Sequence, residues 1–109
     1  MTRYCLTLNL KNDPALIQEY IDHHRNVWPE IKKSITDSGI IAMQIYRMGT
    51  RLFMIMDTED DFSFDHKNRL DAANTKVSEW ENLMWKYQEA LPEATNGEKW
   101  MLMEKIYEL

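Results

Sequence analysis

The chain predicts an α+β domain built in the order strand, helix, two strands, helical region, strand. Three observations lead there. Strand-like runs recur at residues 4–10, 40–48, 51–57 and 99–107. Two long intervals, at 14–38 and 63–90, carry apolar residues at helical rather than alternating spacing. The middle two strands are separated by only two residues, so they pair antiparallel. Such an order closes into a four-stranded antiparallel sheet with helices on one face, the ferredoxin-like arrangement. At 109 residues the chain makes one domain, residues 1–109, with no interdomain linker.

Each element follows from local chemistry. In the first strand Leu6, Leu8 and Leu10 alternate with Cys5, Thr7 and Asn9, which puts the leucines on one face. Asp13-Pro14 supplies an N-cap and a proline at the first helical position. The helix that follows is expected over 14–38, kinked at Pro29 and ended by Gly39. Gly49-Thr50 between the two central strands fits a type II′ turn. Ser63 can cap a helix to about residue 73. Asn74 or Thr75 can cap another to about residue 90, with a buried stripe of Val77, Trp80, Met84 and Tyr87, before Leu91-Pro92 stops it. A turn at 95–97 leads into the last strand. Most strands are apolar on both faces, for example Met43 and Ile45 against Ala42 and Tyr46. Helices cover only one side, so a homodimer packed sheet to sheet is expected to cover the other.

Composition narrows the function. The net charge of −5, without a basic patch among exposed aromatics, argues against nucleic acid as partner. No segment has the length and apolarity of a membrane span, and no signal peptide precedes Tyr4. A lone cysteine, Cys5, suits a reducing, cytoplasmic setting. No phosphate-binding loop or metal-ligand spacing is found, so neither cofactor nor metal is expected. The acidic run Asp57, Glu59, Asp60 and Asp61 is expected to be a solvated turn, and His66 a first-turn surface residue.

The stretch Tyr20-x-x-x-His24-x-x-x-Trp28-Pro29-Glu30 carries the chemistry. Tyr20 and His24 lie one turn apart on the stripe that includes Ile17, Ile21, Ile31 and Ile35, so a phenol and an imidazole are carried inward together. A histidine on such a stripe is more often a satisfied core residue than a catalyst. An imidazole with an ordinary pKa of about 6.5 can nevertheless exchange protons with a small bound molecule. Its neighbour His23 diverges by about 100° on the helix and is expected to face solvent. Tyr46 and Met43 are expected in or beside the pocket.

Tyr20-Ile21-Asp22-His23-His24-Arg25-Asn26-Val27-Trp28-Pro29-Glu30 resembles the first-helix signature of the L-rhamnose mutarotase family, and Trp85-Lys86-Tyr87 before Leu91-Pro92 resembles its aromatic third helix. The resemblance covers essentially the whole chain. It implies a dimeric α+β barrel that interconverts the anomers of a 6-deoxyhexose, L-rhamnose first, without a cofactor. It implies His24 as the catalytic proton donor and Tyr20 as a sugar contact. Met43 stands where the family has a tyrosine, and Met84-Trp85 where it has two tryptophans. Trp85, Met43 and Met84 are therefore the further substrate-binding candidates, and L-fucose is an alternative sugar. Two other functions remain open by analogy with similar barrels: a monooxygenase and a non-catalytic sugar-binding dimer.

Overall fold

The computed structural model describes residues 1–95 and 97–109. The sheet is antiparallel throughout. Strand β1 (Thr2–Leu10) lies inside it, paired along its length with β3 (Arg51–Thr58), which in turn pairs with β2 (Ile40–Met48). The other edge of β1 is shared by two short strands. Asn9 and Leu10 pair with β4 (Gln88–Glu89), whereas Leu6 and Thr7 pair with β5 (Met101–Leu102). The order β2-β3-β1-β4, with β5 beside β1, is the ferredoxin-like one. Gly49 turns at φ +59 while Thr50 keeps a negative φ, as a II′ turn requires.

The helices are α1 (Pro14–Arg25), α2 (Pro29–Asp37), α3 (Phe64–Ala72) and α4 (Thr75–Trp85). Asp13, Ser63 and Asn74 cap α1, α3 and α4, each through a side-chain oxygen that accepts from first-turn amides. All four lie on the face of the sheet that carries Leu6, Leu8, Leu10, Leu52, Met54 and Met56. Leu10 and Leu52 meet Tyr20, Ile31, Val77, Trp80, Met84 and Tyr87 in the main core.

Several expectations are corrected. The helix over 14–38 is not kinked but broken. Pro29 cannot donate to the helix, and the residue before a proline is pushed out of the helical region. Trp28 accordingly takes φ −57, ψ 136, and α2 starts afresh at Pro29. The helix expected to reach residue 90 ends at Trp85, and Gln88–Glu89 join the sheet. The last strand shrinks from 99–107 to Met101–Leu102, followed by one further bond from Met103 N to Cys5 O at 2.8 Å. Ile106 and Tyr107 beyond it are exposed. Asp57 is buried rather than solvated, held by Arg3 through Nε to Oδ1 at 2.8 Å and Nη2 to Oδ2 at 3.1 Å. The turn expected at 95–97 includes Asn96, which lies outside the described residues.

Tyr46 is also displaced from its expected place. A bulge between Ile40 and Ala42 sets the register so that Met43 and Ile45 face the helices. Tyr46 then shares the outer face with Phe53 and Thr7 and is 59% exposed.

Candidate active site

Between the helices and the sheet lies a cavity of about 990 Å³, at the upper end of the range of roughly 300–1,000 Å³ usual for small-molecule sites. Its floor is the sheet, through Leu6, Met43, Ile45, Met54 and Met56. Helices α1 and α2 contribute Tyr20, His24, Ile31, Ser34 and Ile35. Helix α4 adds Val77, Trp80, Glu81 and Met84, and the chain leading into β5 adds Lys99 and Trp100. A smaller cavity of about 390 Å³ shares Tyr20, His24, Val27, Met43 and Ile45 with the first, so the imidazole stands in the wall between them.

The imidazole is held in a defined state. His24 Nδ1 lies 2.8 Å from the Tyr20 carbonyl oxygen, one turn back along α1. A carbonyl only accepts, so Nδ1 carries the hydrogen and Nε2 is left with its lone pair. The Tyr20 ring lies 4.4 Å from the imidazole, centroid to centroid, and the Trp80 ring meets it edge-on at 5.8 Å. Burial pushes the pKa of His24 below its usual 6.5. The Tyr20 carbonyl pulls the other way, and His23 adds a smaller push downward. Near neutral pH the ring is therefore uncharged and Nε2 is a base.

Tyr20 is 4% exposed, and its phenol accepts from Gln88 Nε2 at 3.1 Å. Burial pushes its pKa up to about 12, against a smaller downward pull from that bond. It keeps its proton across the physiological range and can donate it. Gln88 reaches this position because it pairs across the sheet with Leu10 and shares its inward face. The amide is 3% exposed, and its Oε1 has no partner among the described residues. A buried acceptor left unpaired costs about 1–3 kcal/mol.

Two polar clusters flank these groups. Lys67 Nζ pairs with Asp71 Oδ2 at 2.5 Å, and Ser34 Oγ donates to Asp71 Oδ1 at 3.4 Å. Lys99 bonds the Glu81 carboxylate. Burial holds its ammonium below the usual lysine range, while Glu81 pulls it back up. Among the described residues no three His, Cys, Asp or Glu side chains gather as metal ligands would, and no helix is long and apolar enough to cross a membrane.

The structure thus brings Tyr20, His24, Met43 and Met84 to one cavity. Trp85 is corrected: it is not among the lining residues. It sits about 100° around α4 from the buried Met84, and the Lys99 ammonium lies over its ring at 4.9 Å. The indoles that do line the cavity are Trp80 and Trp100. His23 is corrected too, being half-buried with Nε2 3.0 Å from the Tyr87 hydroxyl. Gln88 and Trp100 carried no sequence signal for the site: Gln88 faces inward because β4 forms where a helix end was expected, and Trp100 lines the cavity from the residue just before β5.

The family model for L-rhamnose mutarotase matches residues 3–109. The chain belongs to the L-rhamnose mutarotase family. Membership makes it a sugar mutarotase, an isomerase. It is 40% identical over 111 residues to an L-fucose mutarotase of Xanthomonas campestris pv. campestris, covering 100% of this chain and 89% of that one. It is 38% identical to a UPF0734 protein of Dictyostelium discoideum, over 97% of this chain and 88% of that one. The crystal structure of an L-rhamnose mutarotase from Formosa agariphila superposes with a TM-score of 0.74 at 21% identity, covering 100% and 99% of the two chains. Tetracenomycin F2 cyclase from Streptomyces glaucescens shares the fold, with a TM-score of 0.67 at 14% identity over 100% and 97%.

Proposed function

We propose that this mutarotase interconverts the α and β anomers of a 6-deoxyhexose, L-rhamnose in the first instance with L-fucose as the alternative, through His24. The observation that carries the reading is the Nδ1 bond to the Tyr20 carbonyl, which leaves a basic Nε2 on a residue that lines a cavity with ample room for a monosaccharide. The C1 hydroxyl and the ring oxygen hang from the same carbon, so one nitrogen reaches both. Nε2 takes the C1 hydroxyl proton as the bond from C1 to the ring oxygen breaks, which yields the open aldehyde. The imidazolium returns that proton to the freed C5 oxygen. After the aldehyde turns about its bond to C2, the steps run in reverse and the ring closes on the other face of C1. The proton balance closes on the single imidazole. Tyr20 and the methionines do not move protons. Tyr20 holds a hydroxyl, while Met43, Met54, Met56 and Met84 offer polarizable apolar surface to the 6-methyl group.

The monooxygenase alternative rested on the fold alone, and the family match leaves it without an observation of its own. The oligomer belongs to the same proposal. The outer face of the sheet, with Tyr46 59% and Met48 83% exposed, is the surface on which a second copy would pack.

Saturation-transfer NMR on anomeric mixtures of L-rhamnose and L-fucose tests the reaction. One positioned acid–base group contributes about 10²–10⁴ in rate, so His24→Ala should lose exchange by that factor while keeping the fold. Exchange in the wild type no faster than in buffer, or unchanged in a folded His24→Ala protein, refutes the assignment.

A further inference from the structure

Among the described residues, Gln88 carries the one buried side-chain polar atom without a hydrogen-bond partner, and it stands in this cavity wall unused by the proton transfer. Its nitrogen end donates to the Tyr20 hydroxyl, and its oxygen end has no partner among the described residues. The Tyr20 oxygen is already supplied with a proton from Gln88, so its own O–H is free to point elsewhere. The pair therefore presents one donor, the Tyr20 O–H, and one acceptor, Gln88 Oε1. A single sugar hydroxyl has the matching needs, since it accepts one hydrogen bond and donates one.

Building on the mutarotase reading, we infer that Tyr20 and Gln88 together hold the C2 hydroxyl of the sugar and make Gln88 a specificity-determining residue. The bonds close into a ring: Gln88 N–H to Tyr20 oxygen, Tyr20 O–H to the C2 oxygen, and C2 O–H to Gln88 Oε1. Members of such a ring polarise one another. Gln88 Oε1 is a buried atom. A small turn about the last side-chain torsion, whose minimum is broad, brings Oε1 to the C2 hydroxyl while Nε2 stays within reach of the Tyr20 oxygen.

C2 is chosen by elimination at the reacting centre. With His24 at C1, the sugar presents two flanks. Across the ring oxygen lies C5 with its methyl, which suits the methionines; on the other side lies C2 with its hydroxyl, which suits a donor–acceptor pair. Tyr20 and His24 are neighbours, 4.4 Å apart between ring centroids, so their sugar partners should be neighbours as well. L-Rhamnose and L-fucose have opposite configurations at C2 and at C4, so a contact at C2 reads one of the two differences between them.

The test is a cycle of protein and ligand changes read by tryptophan fluorescence, with Trp80 and Trp100 as reporters in the cavity. Wild-type protein and Gln88→Met, which keeps the side-chain length, are titrated with L-rhamnose, L-fucose and their 2-deoxy and 4-deoxy forms. A net hydrogen bond of ordinary strength corresponds to about a tenfold change in affinity. Removing the C2 hydroxyl should therefore weaken wild-type binding about tenfold. Gln88→Met should weaken the parent sugar and distinguish it less sharply from the 2-deoxy form, because only the Tyr20 hydroxyl then remains to hold the C2 oxygen. Full retention of that preference in Gln88→Met overturns the inference. So does a wild-type protein that ignores the C2 hydroxyl, which needs no variant to fold, or one that binds none of these sugars. The predicted binding pattern without anomer exchange would leave the C2 contact standing and remove the mutarotase reading instead.

Discussion

His24 is neutral at rest because the cost of burying a charge outweighs the pull of the Tyr20 carbonyl. The direction of that shift fixes a pH profile. The basic form works, so anomer exchange should be flat at and above the ordinary histidine pKa of about 6.5. It should fall as acid protonates the ring, with a midpoint below that value. Tyr20, pushed up to about 12, adds no alkaline limb near neutrality. The same shift acts on stability. The unfolded chain takes a proton on this histidine more readily than the folded one, so the contribution of His24 is complete above about pH 6.5 and is lost as pH drops through its lowered folded pKa. An exchange profile measured by NMR between pH 4 and 9, whose acid midpoint rises above 6.5, would contradict the buried neutral imidazole. Tyr20 and His24 were legible in the sequence because a spacing of four puts two side chains on one helix face whatever the rest of the chain does. Gln88 was not, because its inward orientation comes from pairing with Leu10, a contact 78 positions away in the chain.

Elements were legible where a local chemical rule decides them. Asp13-Pro14, Ser63 and Asn74 mark helix starts, and each side chain makes the expected capping bonds. The two-residue strands β4 and β5 have no such rule, since alternation cannot be read over two residues. They exist because the β1 edge needs partners for its amides and carbonyls. Pro29 marks a disturbance in the helical pattern, and the restricted Trp28 before it turns that disturbance into a full break rather than a bend. Gly39 is the clearest local device. It takes φ +100 between α2 and β2, and its carbonyl accepts from Glu59 N at 2.8 Å. A Cβ there would find its nearest atom, Phe62 Cδ2, at 3.7 Å, an ordinary contact. Strain rather than collision therefore sets the cost of Gly39→Ala. We expect about 1–2 kcal/mol of lost stability, seen as a melting point lower by about 4–8 °C per kcal/mol for a domain near this size. An unchanged melting curve by circular dichroism would mean that this junction relaxes freely.

At the scale of the molecule the two sides of the sheet differ. The helix side carries the cavity with its imidazole, while the outer side presents Cys5, Phe53, Ile55 and Tyr46 around the Arg3–Asp57 pair. An apolar patch bordered by an ion pair and polar side chains suits a symmetric two-fold interface, because each copy meets the same surface on the other. Phe53 is the place to break it. It lies between Thr7 and Tyr46 across the strands and, unlike its neighbours Leu52 and Met54, points away from the core. A carboxylate there would put a charge in the middle of the apolar part of this face, which a second copy would have to bury. Light scattering during gel filtration should give the wild type twice the 13.1 kDa chain mass and the Phe53→Asp variant a single chain. The His24 cavity opens on the opposite face, so the separated variant should still exchange anomers while melting at a lower temperature. A wild type that stays at one chain mass at micromolar concentration removes the dimer. A variant that stays folded and monomeric yet loses exchange would instead mean that the second copy completes the site.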